Sequence, residues 1–384
     1  MRRSLLSLLA GALLVFGCGN SLQVNIPPSG GGSGGNNNNN SGGTSLRELV
    51  VIPNAGDNTI TVKQVNLNDG TTFTRATVNS GAQGPFVVKC NPTTNVFYVL
   101  NSNSGLITEF RIDINGNVTS IGNIATPSNP LLMTIHPSGR LVFVAGSIAR
   151  QVFTYAVAND GTLTRVAQTT TNFLNGSPGL DGDFSANGSF LHIPVVGGVQ
   201  TCAIQNDGSL VTSSLNNSGG SIGATDQVID VDVHPNQTSM QAAIQRAGND
   251  AIASFALNNG SVSPTGSATT VNYEVGLGDF SAPGRYYLGE SNAPRVHGFN
   301  TVAATGALTE LGTSPSTSTG VNALYTQVDF TSSYLFTTQS VSSNLMVSRA
   351  LTAAGELGTS TVDSQNLSAP QLFDFFLVQV SNGS

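Results

Sequence analysis

The chain has 384 residues, of which 9% are charged and 44 are glycine, and its formal net charge is -7. Soluble domains ordinarily carry about 25% charged residues, so polarity here rests on Ser, Thr and Asn, and helices held by ladders of ion pairs are excluded. The 14 basic residues are scattered among 21 acids with no run of three, which leaves no electrostatic footprint for nucleic acid.

In chain order, Arg2 and Arg3 precede an apolar run from Leu5 to Phe16. At about 12 residues it is too short to span a bilayer and has the layout of a secretory signal peptide. The run ends in Val15-Phe16-Gly17-Cys18, which resembles a bacterial lipobox, where the Cys is lipidated and becomes the first mature residue. Residues 1–17 are therefore expected to be removed and Cys18 to carry the lipid. Residues 18–45 hold Gly30-Gly31-Gly32-Ser33-Gly34-Gly35 and five Asn from Asn36 to Asn40. Such a segment buries no apolar surface and forms a flexible tether with a reach of roughly 30 Å. The expectation is an exported chain anchored by lipid in the bacterial envelope, at the outer membrane or cell surface. Cys90 and Cys202 lie in apolar strand contexts of different repeat units; buried thiols are the simpler reading, and a disulfide is left open.

From residue 46 to the end at 384 the chain repeats itself. A turn between two β-patterned runs recurs at Asn68-Asp69-Gly70, Asn115-Gly116, Asn159-Asp160-Gly161, Asn206-Asp207-Gly208, Asn258-Asn259-Gly260, Thr305-Gly306 and Ala354-Gly355. The turn glycines are 45 to 52 residues apart. Asn-Gly and Asp-Gly tolerate the positive φ that tight hairpins need, so each copy joins two antiparallel strands. An earlier turn in each unit, such as His136-Pro137-Ser138-Gly139-Arg140 or Val233-His234-Pro235, separates two further apolar runs. In the third copy the four strands are expected near 131–135, 140–145, 151–157 and 162–168. Four short strands at this period form a β-propeller blade. The first copy lacks its innermost strand, and Leu372-Phe373-Asp374-Phe375-Phe376-Leu377 supplies one at the other end. The fold expected is all-β, a seven-bladed β-propeller of four antiparallel strands per blade, closed where the C-terminal strand completes blade one.

Together, His136-Pro137-Ser138-Gly139-Arg140, Leu141-Val142-Phe143-Val144 and Gly161-Thr162-Leu163-Thr164 resemble the repeat of lactonase-family propellers, the propeller-type 6-phosphogluconolactonases, with related surface propellers of YVTN type. The resemblance covers the whole domain through scaffold motifs, which specify fold far more than activity. It implies, for members that hydrolyse sugar lactones, His, Glu and Arg residues around the channel mouth, including a Pro-His-rich start to one inner strand. That start here reads Gly84-Pro85-Phe86-Val87-Val88, without His. The family's Asp-Leu-Gly segment corresponds to Pro194-Val195-Val196-Gly197-Gly198. No catalytic residue is carried over.

Aligning the innermost strands places Lys89, Thr134, Asp183, Asp232, Asp279, Asp329 and Asp374 at one position. Five carboxylates ringing an axis would suit a hard cation such as Ca²⁺ in the central channel, which favours six to eight oxygens. A residue repeated across blades equally suits hydrogen bonding to backbone. His136 and His234 occupy one turn position in two blades, while His192 and His297 lie in strands with no second His at zinc spacing. The loops between second and third strands gather Asp57, Arg150, Arg246, Asp250, Glu290 and Arg295, the best candidates for recognising a polar or anionic ligand. The leading functional reading is a lipid-anchored binding or scaffold module of the envelope, whose partner is an envelope polymer, a protein or a small polar ligand. The alternative is lactone hydrolysis, with a carboxylate or water as base and Arg at the developing oxyanion.

Overall fold

The computed structural model describes residues 44–381, apart from 149, 172–177, 186, 259–260, 312–321 and 340–344. The signal segment, Cys18 and nearly all of the linker lie outside the described residues.

The hairpin glycines account for the local geometry. Gly70, Gly116, Gly161, Gly208, Gly306 and Gly355 have φ between 71° and 87°, the left-handed region that a Cβ disfavours. Each hairpin joins the third and fourth strands of one sheet. The described residues form seven sheets, numbered here as blades one to seven. Blade two contains Pro85–Cys90, Val96–Asn101, Leu106–Ile112 and Val118–Ala125, in that order from the axis outward. Its second strand is buried throughout and its fourth alternates with solvent, as expected when inner strands are packed on both faces. Blade three runs Pro130–Ile135, Leu141–Gly146, Gln151–Val157 and Leu163–Thr170, within two residues of the sequence expectation at each end.

Blade four begins with a two-residue inner strand, Asp183–Phe184. Blade five carries a fifth strand, Thr269–Thr270, that pairs with Ala251–Asn258. In blade one, Asp374–Ser381 pairs antiparallel with Thr44–Asn54, so that Leu49 faces Phe376. Both termini thus build one sheet, as the repeat count requires. The first described strand begins at Thr44. The largest apolar cluster passes through the blades from Val50 to Phe375 and includes Tyr98, Tyr155, Phe280 and Phe336.

Neighbouring blades are hooked together by side chains that reach the next blade's turn glycines. Asn91 Nδ2 donates to the Gly139 carbonyl at 2.8 Å, and His136 Nε2 lies 2.9 Å from the Gly188 carbonyl. At the third-to-fourth-strand hairpins, Tyr98 donates to Gly161 at 2.9 Å, Gln241 to Gly306 at 2.7 Å, Tyr287 to Gly355 at 2.7 Å and Ser348 to Gly70 at 3.0 Å. These bonds satisfy carbonyls left over by the tight turns and give His136 a structural role. Cys90 and Cys202 are buried and not bonded to each other.

Candidate functional site

Side chains alternate along a strand, so the residue preceding each inner turn points into the seam with the next blade. Asp374, Asp183 and Asp279 stand at this position, and each does the same thing. One oxygen takes the following amide, Phe375, Phe184 or Phe280, at 2.7 to 2.8 Å. The other takes an amide of the next inner strand: Cys90 at 2.7 Å, Val233 at 2.9 Å or Val328 at 2.8 Å. The repeated aspartate is therefore an inter-blade tie.

Asp329 is not part of this ring. The inner strand of blade seven, Tyr325–Val328, ends before it, and Gln327 opposes Phe336 as Asp279 opposes Tyr287. Asp329 instead caps its own turn, accepting from Ser333 and Tyr334 at 2.8 and 2.6 Å.

Lys89 holds the ring position in blade two and pairs with Asp181 at 2.8 Å. A cavity of about 20 Å³, lined by Lys89, Asp181, Asp232, Asp279, Gln327 and Leu372 among others, lies where these inner strands converge. It has room for about one water. Burial pushes Asp183 up to about 8 against its two amide donors, and burial followed by the Asp181 charge pushes Asp230, two residues from the ring position, up to about 7. Burial, with a smaller push from Asp181, outweighs Lys89 and two amide donors at Asp374, which reaches about 6. Asp232 and Asp279 are also driven well above the usual carboxylate range by burial and by their neighbours. Among the described residues, no group of three or more His, Cys, Asp or Glu side chains is disposed to hold a metal ion. The amide bonds show where the oxygens of Asp183, Asp279 and Asp374 go instead.

Asp57, Arg150, Arg246, Asp250 and Arg295 lie in the connections between second and third strands of blades one, three, five and six, whereas Glu290 is the buried last residue of the second strand of blade six. The structure does not gather them into one site. Asp57 caps Thr59, taking its hydroxyl at 2.6 Å. Asp250 accepts the amides of Arg246 and Val275, both at 2.9 Å. The Arg246 guanidinium turns to Asp226 at 2.9 Å and to the Ser221 carbonyl at 2.5 Å, so it fixes a loop. Arg150 and Arg295 remain exposed on the loop face.

Glu290 belongs to a cluster the sequence reading missed. His297 Nδ1 lies 3.1 Å from Glu310 Oε1, and Nε2 lies 3.3 Å from Glu290 Oε2. The ring stacks on Tyr273 with centroids 3.7 Å apart and planes 7° from parallel. Each ring nitrogen therefore faces one carboxylate oxygen, on the strands to either side. The other buried strand histidine, His192, bonds to Thr201 at 3.0 Å, and burial lowers it to about 4.

No known family profile matches the sequence, and no curated protein is significantly similar to it. Solved structures are similar in fold. A periplasmic gluconolactonase of Pseudomonas aeruginosa superposes with a TM-score of 0.71 at 17% identity, covering 86% of this chain and 99% of that one. A putative 6-phosphogluconolactonase of Bacteroides fragilis gives 0.71 at 15%, over 86% and 98%, and one of Bacteroides uniformis gives 0.73 at 14%, over 86% and 99%. The chain therefore has the seven-bladed architecture of the 6-phosphogluconolactonase-like propellers.

Proposed function

We propose that this propeller is a binding module of the cell envelope, exported and held by a lipid on Cys18, which presents its loop face to a polar or anionic ligand through Arg150 and Arg295. The observation that carries the reading is the clamp on His297. Its imidazole lies between Glu290 and Glu310, an arrangement that the binding reading takes as a structural clamp. Exposed guanidinium groups suit bidentate recognition of carboxylate or phosphate. Arg2, Arg3 and the apolar run before Cys18 support export, and the Gly/Asn segment supports a tether.

A second reading is lactone hydrolysis, favoured by the fold shared with a periplasmic gluconolactonase. Acid release from a panel of sugar lactones, including gluconolactone, separates the two. The binding reading expects release no faster than spontaneous hydrolysis, together with retention on isolated peptidoglycan that Arg150→Ala with Arg295→Ala weakens. Turnover of any lactone above background, abolished by boiling, rejects it in favour of the hydrolase. Metabolic labelling with a palmitate analogue, compared with Cys18→Ala, tests the anchor.

A further inference from the structure

The inner strand of blade five, Gln227–Val233, carries two acids on one face. Asp230 is 1% exposed, and its Oδ2 takes the Gly278 amide of blade six at 2.7 Å. Its Oδ1, and Oδ2 of Asp232, are buried with no donor. The two carboxyls are nevertheless within hydrogen-bonding reach of each other. A carboxylate has only acceptor oxygens, so two facing carboxylates repel, whereas one added proton turns the contact into a short O–H···O bond.

We propose that Asp230 and Asp232 share a single proton, forming a lock that closes the seam between blades five and six at neutral pH and opens as the pH becomes alkaline. One proton satisfies both orphaned oxygens and keeps the Asp230 tie to Gly278 in place. The surroundings favour holding it. Blade six brings Asp279 against the pair, while its buried Tyr286 hydroxyl, a donor toward Asp232, acts the other way. From the blade-four side Asp181 and Asp183 add negative charge, and Lys89 of blade two acts against it at Asp230. Lys89 is already engaged by Asp181. With so many acids in a buried site, a second negative charge on the pair is strongly disfavoured. Loss of the proton at high pH sets two charges against each other beside Gly278, at the seam between blades five and six.

The test is carbon-13 NMR of aspartate-labelled full-length domain, titrated from pH 5 to 9, beside Asp232→Asn and the exposed control Asp57→Asn. The expected result is a carboxyl carbon that keeps its acid position through pH 7 in the wild type and in Asp57→Asn, and whose acid signal is lost in Asp232→Asn because the amide donates in place of the proton. Asp232→Asn should also show a smaller fall in melting temperature from pH 6 to 9 than the wild type. If Asp232→Asn removes no acid signal at pH 7, the shared proton is wrong. Should that variant fail to fold, the wild-type titration decides: aspartate carboxyls that are all ionised at pH 7 overturn the proposal.

Discussion

The Asp183 carboxylate accepts the Val233 amide at 2.9 Å across the seam between blades four and five, while its other oxygen holds the Phe184 amide at 2.7 Å. Asp183→Ala leaves two amide donors unmatched in a site that excludes water, at a cost of roughly 1–3 kcal/mol each. Asp183→Asn keeps one acceptor and should lose about half as much. Urea denaturation of the three chains at one pH gives the comparison. Equal midpoints for Asp183→Ala and the wild type would refute the tie.

The same ring predicts how stability changes with pH. Asp183 is raised to about 8 and Asp374 to about 6, against about 3.9 in an unfolded chain. Between these values the folded protein binds more protons than the unfolded one, so unfolding free energy falls as pH rises. The contribution is complete below about pH 4 and is lost as pH passes through about 6 and then about 8. At about 1.4 kcal/mol per unit, the combined effect is several kcal/mol, to order of magnitude. Melting temperature should be higher at pH 5 than at pH 8.5, and Asp183→Asn should flatten the upper part of the curve.

Calcium should have no effect on stability. Both oxygens of Asp183, Asp279 and Asp374 are engaged by backbone amides, which leaves few of the six to eight oxygens that Ca²⁺ needs. Melting curves with excess Ca²⁺ and with chelator are expected to overlay. A rise of several degrees with Ca²⁺ would restore the ring as a cation site.

Removal of residues 370–384 deletes the innermost strand of blade one and the Asp374 tie to Cys90. It exposes Leu49, Val50 and Val51, each at most 2% accessible in the intact ring. The truncated chain should melt at a markedly lower temperature, with loss of cooperativity. An unchanged midpoint would contradict closure by this strand.

The blade count, the closure and most strand ends could be read from the sequence because glycine turns and period-two apolar runs are local features. The alignment failed at Asp329 for the same reason. Val328-Asp329-Phe330 repeats the pattern of Val231-Asp232-Val233, and a period-two pattern slips by two residues without any change in which side chains are apolar. Only the pairing of Gln327 with Phe336 reveals the shift. Five of the six rim residues fall on loops between second and third strands, Glu290 being the last residue of a strand, yet the partner of Arg246 is Asp226 in the preceding inter-blade connection, a contact that depends on how two loops fold back. His297 was passed over because its partners are carboxylates on adjoining strands, Glu290 and Glu310, rather than a second histidine. A search at hairpin spacing, seven and thirteen residues away, finds them.

Closure also places Thr44 opposite Ser381 as paired residues of neighbouring strands. The two ends of the domain are therefore side by side, and the hooks run in one direction from each blade to the next. A circular permutant that joins these ends by a short loop and opens a different inter-blade connection keeps every seam. What the fold specifies is a cyclic order of blades, and the point where the chain starts within that cycle is free to move.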